Sequence, residues 1–173
     1  IEKVATPEGF SKDPELVHDF YNQRRRALLS HNIQPNEAHL ALADLEKQLP
    51  GEIVMVTQNI DDLHERAGSQ NVFHMHGELL KIRCSLSGKI YPTKSDHNAN
   101  SVCSCCQKKG TLRPHVVWFG EIPLYLPEIY SHLEKSSIFI AIGTSGQVYP
   151  ASQFPLIAYE NGAQCFEINL KRT

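Results

Sequence analysis

Two short stretches crowd reactive groups together: Thr57-Gln58-Asn59-Ile60-Asp61-Asp62-Leu63-His64 and Phe73-His74-Met75-His76-Gly77-Glu78. His76 stands beside Gly77, where a backbone without a Cβ lets a ligand approach closely. An imidazole there can take a proton from a hydroxyl near neutral pH with little tuning. Gln58, Asn59 and Asp61 offer amides and a carboxylate suited to an amide or to ribose hydroxyls. The same residue types also serve turns and caps. With nine histidines in the chain, His76 taken singly is more often structural than reactive, so its company carries the argument. A third group, Gly143-Thr144-Ser145-Gly146, offers backbone N–H groups and hydroxyls for a phosphate or ribose, although the G-x-G-x-x-G fingerprint is absent.

Four of the five cysteines fall at 84, 103, 105 and 106. Cys84 with position 87, and Cys103 with Cys106, set out two C-x-x-C frames at the separation of a zinc ribbon. The first frame holds Ser87 in place of its second cysteine. Cys84, Cys103 and Cys106 are therefore the expected metal ligands, with Cys105, His97 or water left open as the fourth. Reduced, metal-free thiols are the alternative. A bound zinc would be structural, because residues 79–113 carry too few large apolar side chains for a core of their own.

The elements that must position these groups follow from periodicity. Residues 1–12 read as a loop. Asp13-Pro14 supplies an N-cap and a first-turn proline, and apolar residues at helical spacing predict a helix over 14–29 with Tyr21 and Arg24 on one face. A second helix follows Asn36, with Ala38, Ala41, Leu42, Leu45 and Leu49 expected on its buried side and Pro50-Gly51 ending it. The run Ile53-Val54-Met55-Val56 predicts a buried strand. A short helix over 62–67 and an extended run over 72–75 come next. A second buried strand at Ile138-Phe139-Ile140-Ala141-Ile142, a helix over 151–160 and a strand over 164–168 complete the pattern. Apolar strands alternating with helices predict an α/β fold with a parallel sheet covered on both faces. Polar residues at the carboxyl ends of such strands are where these sheets bind ligands.

Length, composition and charge limit the options. A chain of 173 residues with 41% hydrophobic and 21% charged residues fits one ordinary globular domain with a small insertion. A net charge of −2 supplies no general attraction to nucleic acid. No apolar run approaches the ~20 residues of a membrane span, and no signal-peptide pattern opens the chain. An intracellular protein without nucleic-acid or membrane partners is expected.

Thr57-Gln58-Asn59-Ile60-Asp61, His74-Met75-His76-Gly77, the cysteine frames, Val116-Val117-Trp118-Phe119-Gly120-Glu121, Gly143-Thr144-Ser145 and Glu167-Ile168-Asn169-Leu170 together resemble the sirtuin family. Tyr21-Asn22-Gln23-Arg24 resembles the Tyr-x-x-Arg signature of its class III members, and the whole is similar to the bacterial CobB-type enzymes. The resemblance implies an NAD-dependent protein lysine deacylase, with a Rossmann-like domain at 1–78 and 114–173 and a small zinc-ribbon-like domain at 79–113. It implies His76 as the general base on the nicotinamide ribose. Asn59 and Asp61 would hold that ribose and the carboxamide, with Gln58 in support. Gly143, Thr144, Ser145 and Asn169 would contact the adenosine half. Val117, Phe119 and Gly120 would line the channel for an acylated lysine peptide, and Tyr21 with Arg24 would meet the carboxylate of a succinyl or malonyl group. A monomer in the bacterial cytoplasm is implied, with a mitochondrial origin as the alternative.

Two departures stand out. The family's opening Gly-Ala-Gly-x-Ser segment has no match, and the chain stops soon after Asn169. The expectation is a fragment that binds NAD poorly and is inactive by itself. Two further readings remain open: an interaction module that kept the scaffold without catalysis, and an NAD-dependent ADP-ribosyltransferase.

Overall fold

A computed structural model describes residues 2–170, which divide into two compact units, 2–124 and 125–170. In the first unit the opening loop expected from sequence is instead interrupted by a helix, α1 (Pro7–Lys12). The Thr6 side chain caps the N–H of Gly9, and a proline opens the helix, two start signals the loop reading overlooked. Helix α2 (Pro14–Leu28) begins as expected, with the Asp13 carboxylate accepting from the N–H of Leu16. Its inner face packs Val17, Tyr21 and Leu28 into a cluster with Leu79, Val116 and Trp118. Complete burial of Val17 alone stabilises by roughly 1.5–3 kcal/mol.

Helix α3 (Glu37–Gln48) is capped by Asn36, but its expected apolar side is not buried. Ala43 is buried, whereas Leu45 and Leu49 are exposed. The helix packs chiefly on α4 (Leu63–Ala67), a partner too short to cover its stripe. Strand β1 (Met55–Thr57) lies parallel to β2 (Val72–His74), with Thr57 opposite His74. Glu46 of α3 accepts from the N–H groups of Gln70 and Asn71 and so fixes the entry to β2.

The cysteine-bearing segment is not merely irregular chain. It contributes to a three-stranded antiparallel sheet ordered β4-β3-β5, from β3 (Gly77–Cys84), β4 (Ile90–Pro92) and β5 (Leu112–Val116). A small satellite core of Ile82, Cys84, Cys103 and Leu112 lies within it. Residues 93–99 are strapped to α2: Asn22 exchanges two hydrogen bonds with the backbone of His97, and buried Arg25 donates to the carbonyls of Leu79 and Ser95. Arg26 pairs with Asp96.

The second unit holds α5 (Leu126–Lys135), β6 (Ile138–Ile142), a 3-10 turn at Ala151–Gln153, α6 (Phe154–Glu160) and β7 (Gln164–Ile168). Helix α5, which periodicity had not suggested, buries Ile129 and Leu133. Strands β6 and β7 pair parallel in full register, Ile138 opposite Gln164 through Ile142 opposite Ile168. Both matched their expected bounds, yet Ile138 and Phe166 are more than half exposed, so β6 is not the buried strand its composition suggested. Among the described residues no helix is long and apolar enough to cross a membrane.

Candidate active site and cysteine cluster

His76 occupies the turn between β2 and β3, and the chain on either side is held tightly. Met75, fully buried, donates its N–H to the carbonyl of Thr57 at the tip of β1. Gly77 has φ +82°, and a Cβ there would meet the carbonyl oxygen of His115 at 2.2 Å. No other residue fits without moving β5, so the glycine reserves the close strand contact that sets His76 in place. Val117 donates to the His76 carbonyl at 2.8 Å.

The ring itself is oriented by one bond: Nδ1 lies 3.0 Å from the carbonyl oxygen of Gln58. A carbonyl only accepts, so Nδ1 carries the proton and Nε2 keeps its lone pair. Burial lowers the His76 pKa below the ordinary value of 6.5, and the Gln58 carbonyl opposes this only in part. The imidazole is therefore neutral at physiological pH, with Nε2 ready to accept a proton.

The tip of β1 is ordered by its own side chains. Thr57 Oγ1 accepts from the N–H of Asn59, and Asp61 Oδ1 accepts from the N–H of Leu63 at the start of α4. The turn role weighed for these residues is thus real for Asp61. It does not occupy the Asn59 amide, which is exposed. Behind the tip, buried His74 pairs with Glu65 at 2.6 Å. Burial disfavours charge on His74, but the Glu65 carboxylate outweighs it and raises the pKa.

Val117, Phe119 and Gly120 follow β5. Phe119 is 60% exposed and Gly120 has φ +87°. The N–H groups of Val117, Trp118 and Phe119 already donate, to the His76 carbonyl, the Glu121 carboxylate and the Ala5 carbonyl respectively. A peptide running along this edge would meet carbonyls and the Gly120 N–H rather than a full ladder.

On α2 the expected pairing of Tyr21 with Arg24 is uneven. Tyr21 is buried, while Arg24 is exposed and lies 3.4 Å over the ring of Phe20. Sequence reasoning quoted Trp118 only within a motif. The structure makes it a hub: 2% exposed, its indole N–H donates to the Tyr21 oxygen at 2.9 Å, and Arg113 stacks on its ring at 3.4 Å. Arg113 in turn grips Glu121 through two hydrogen bonds of 2.6 and 3.0 Å. Glu121 pairs also with Arg83. The opposite charges of Arg83, Arg113 and Glu121 were the available signal, and they are scattered over nearly forty positions, too far for spacing rules to catch.

In the second unit Gly143 sits at φ +62° at the end of β6, where its N–H donates to the Ile168 carbonyl. Asn169 donates to the Thr144 carbonyl at 2.9 Å, clipping the Gly143-Thr144-Ser145 loop to the end of β7. This loop and Asn169 are brought together as the sequence suggested.

The sulfur atoms of Cys84, Cys103, Cys105 and Cys106 all lie within 4.8 Å of one another. A tetrahedral zinc with bonds of about 2.3 Å needs sulfur separations of about 3.8 Å; Cys84 and Cys106 are 3.8 Å apart and Cys103 and Cys105 are 3.3 Å apart. The donor set therefore fits zinc. His97 lies outside this donor group, and its Nε2 lies 2.7 Å from Thr93 Oγ1. Ser87 places its hydroxyl 3.1 Å from the Cys105 sulfur, next to the cluster. The hydroxyl and N–H of Ser87 hold the Cys84 thiol down to about 5, as suits a thiolate ligand.

Residues 1–150 match the Sir2 family model. The chain belongs to the sirtuin family. It is 58% identical over 171 residues to an NAD-dependent protein deacylase of Vibrio vulnificus, covering 99% of this chain and 70% of that protein. It is likewise 58% identical to one from Escherichia coli strain K12, of which it covers 61%. A solved Sir2 homolog–NAD complex superposes with a TM-score of 0.88 at 40% identity, covering 99% of this chain and 67% of that one. Sir2 bound to an acetylated peptide gives 0.86 at 32% identity, with 99% and 73% covered. The parallel strand pairs and helices of this sirtuin are those of the Rossmann-like Sir2 fold.

Proposed function

We propose that the protein removes acyl groups from the lysine side chains of proteins at the expense of NAD, releasing nicotinamide and O-acyl-ADP-ribose. The observation that carries the catalytic assignment is the bond from His76 Nδ1 to the Gln58 carbonyl. It fixes the tautomer that presents Nε2 as a base. Bound NAD would supply the electrophilic ribose carbon that receives the acyl oxygen, with nicotinamide as leaving group.

The chain's own residues then divide the work. His76 Nε2 takes the proton of a ribose hydroxyl. The amide of Asn59 and the carboxylate of Asp61 hold the ribose and carboxamide, and Gln58, through its carbonyl, keeps the imidazole aimed. In the second unit Gly143, Thr144, Ser145 and Asn169 hold the adenosine half, in a loop that Asn169 clips shut. Val117, Phe119 and Gly120 line the path of the acylated peptide. Tyr21 and Arg24 supply a phenol and a guanidinium for an acidic acyl group, which selects succinyl or malonyl over acetyl. Residues 79–113 form a small lobe held by zinc through Cys84, Cys103, Cys106 and Cys105, where the metal's role is structural.

Incubating the full-length protein with NAD and matched acetyl-lysine and succinyl-lysine peptides tests reaction and acyl preference together. Mass spectrometry is expected to show deacylated peptide and O-acyl-ADP-ribose in equal amounts. ADP-ribosylated protein without deacylation would instead identify a transferase, and no turnover of either peptide would leave only a binding scaffold.

A further inference from the structure

Tyr21 is one of the most enclosed polar residues of α2, at 4% exposure, and its hydroxyl makes a single hydrogen bond: it accepts from the indole N–H of Trp118 at 2.9 Å. Among the described residues the phenolic proton itself is donated to no protein acceptor. A hydroxyl that uses its oxygen to accept must direct its own proton elsewhere.

Trp118 can impose that direction because it is clamped on several sides. Arg113 lies 3.4 Å over its ring, and its backbone N–H donates to Glu121 Oε2 at 2.8 Å. Arg113 and Arg83 both hold Glu121. The Phe10 ring packs 5.3 Å from the indole. An indole held this way is a fixed donor, and a fixed donor leaves the phenol one orientation.

We propose that Trp118 is a positioning residue for acyl selectivity: its N–H holds the Tyr21 oxygen so that the phenolic proton is presented to the carboxylate of an acidic acyl group. The inference rests on the assignment of Tyr21 and Arg24 to acidic-acyl recognition. Burial raises the Tyr21 pKa, which keeps that proton in place across the neutral range. Because the effect concerns binding of a distal carboxylate and not the reacting atoms, it falls on KM more than on kcat.

The test is a double-mutant cycle in the full-length protein, read as kcat and KM for succinyl-lysine and acetyl-lysine versions of one peptide. Trp118→Phe removes the N–H. Replacing Trp118 by 3-benzothienylalanine removes the N–H while keeping the ring volume, so a fold defect in the first variant does not leave the question open. Both are expected to raise KM for the succinyl peptide about 3- to 10-fold more than KM for the acetyl peptide. The same changes in a Tyr21→Phe background are expected to leave the succinyl-to-acetyl ratio where Tyr21→Phe alone puts it.

Equal losses on both peptides, or an undiminished effect of Trp118→Phe when Tyr21 is already Phe, would overturn the positioning role. If Tyr21→Phe and Arg24→Met each leave the succinyl-to-acetyl ratio unchanged, the acidic-acyl assignment itself falls, and this inference with it.

Discussion

At position 76 one carbonyl decides which ring nitrogen is available, and that is a property no sequence pattern can express. The motif around His76 marked a reactive neighbourhood; the tautomer came from the Gln58 oxygen, 3.0 Å away across two strands. Arg24 shows the opposite balance. Its place in a run of three arginines was visible, but the three have unlike tasks: Arg25 is buried and ties down residues 93–99, Arg26 pairs with Asp96, and Arg24 rests on Phe20 in the open. Arg24 holds nothing beyond its own helix, where its Nη1 donates to the Phe20 carbonyl at 3.4 Å. Arg24→Met is expected to lower kcat/KM for desuccinylation by about 10- to 100-fold relative to deacetylation, the span of one charge-assisted hydrogen bond. Steady-state kinetics on the paired peptides read this directly, and parallel losses would contradict it.

Elements with a local signal were legible and elements held by distant partners were not. Helix α2 announced itself through the Asp13 cap and Pro14, and β6 through an unbroken apolar run. The antiparallel sheet β4-β3-β5 was missed, because its strands are short or interrupted by charge and its core is partly sulfur. For the same reason spacing could not choose the fourth zinc ligand, whereas folding brings Cys105 into the slot beside Ser87. Cys105→Ser is expected to weaken zinc binding at least about 100-fold, since even groups that merely support a ligand cost 10- to 100-fold when lost. Metal content after dialysis against a graded chelator measures it, and wild-type retention would refute the assignment.

Helix α2 also carries a pH dependence. Burial, with His97 and Arg25 nearby, lowers the His18 pKa from 6.5 to about 4, while the Leu112 backbone opposes the shift. The unfolded chain binds this proton first, so the stability contributed by neutral His18 is complete above 6.5 and lost as pH falls through about 4. Resistance to urea unfolding is therefore expected to fall between pH 6.5 and 4, with a shallower slope for His18→Gln; identical slopes would count against the assignment.

For the molecule as a whole, a net charge of −2 offers no long-range pull on a basic protein substrate. Recognition must be local. The candidate residues are divided between the two compact units, with Gln58, Asn59, Asp61 and His76 in the first and Gly143, Thr144, Ser145 and Asn169 in the second. Within the first unit, α2 is tied to the cysteine-bearing lobe through Asn22, Arg25 and Arg26. The family assignment accounts for this arrangement, since the same fold recurs in the solved Sir2–NAD complex at a TM-score of 0.88.

The central claim is that Nε2 of His76 is the base in an NAD-consuming deacylation. Its most direct test compares full-length wild type with His76→Ala, following nicotinamide, O-acyl-ADP-ribose and deacylated peptide in one reaction. Wild type should release the three in equal amounts, and His76→Ala should lower kcat/KM about 10²- to 10⁴-fold while circular dichroism stays unchanged. Deacylation that proceeds without NAD, or a well-folded His76→Ala that turns over like wild type, would contradict it.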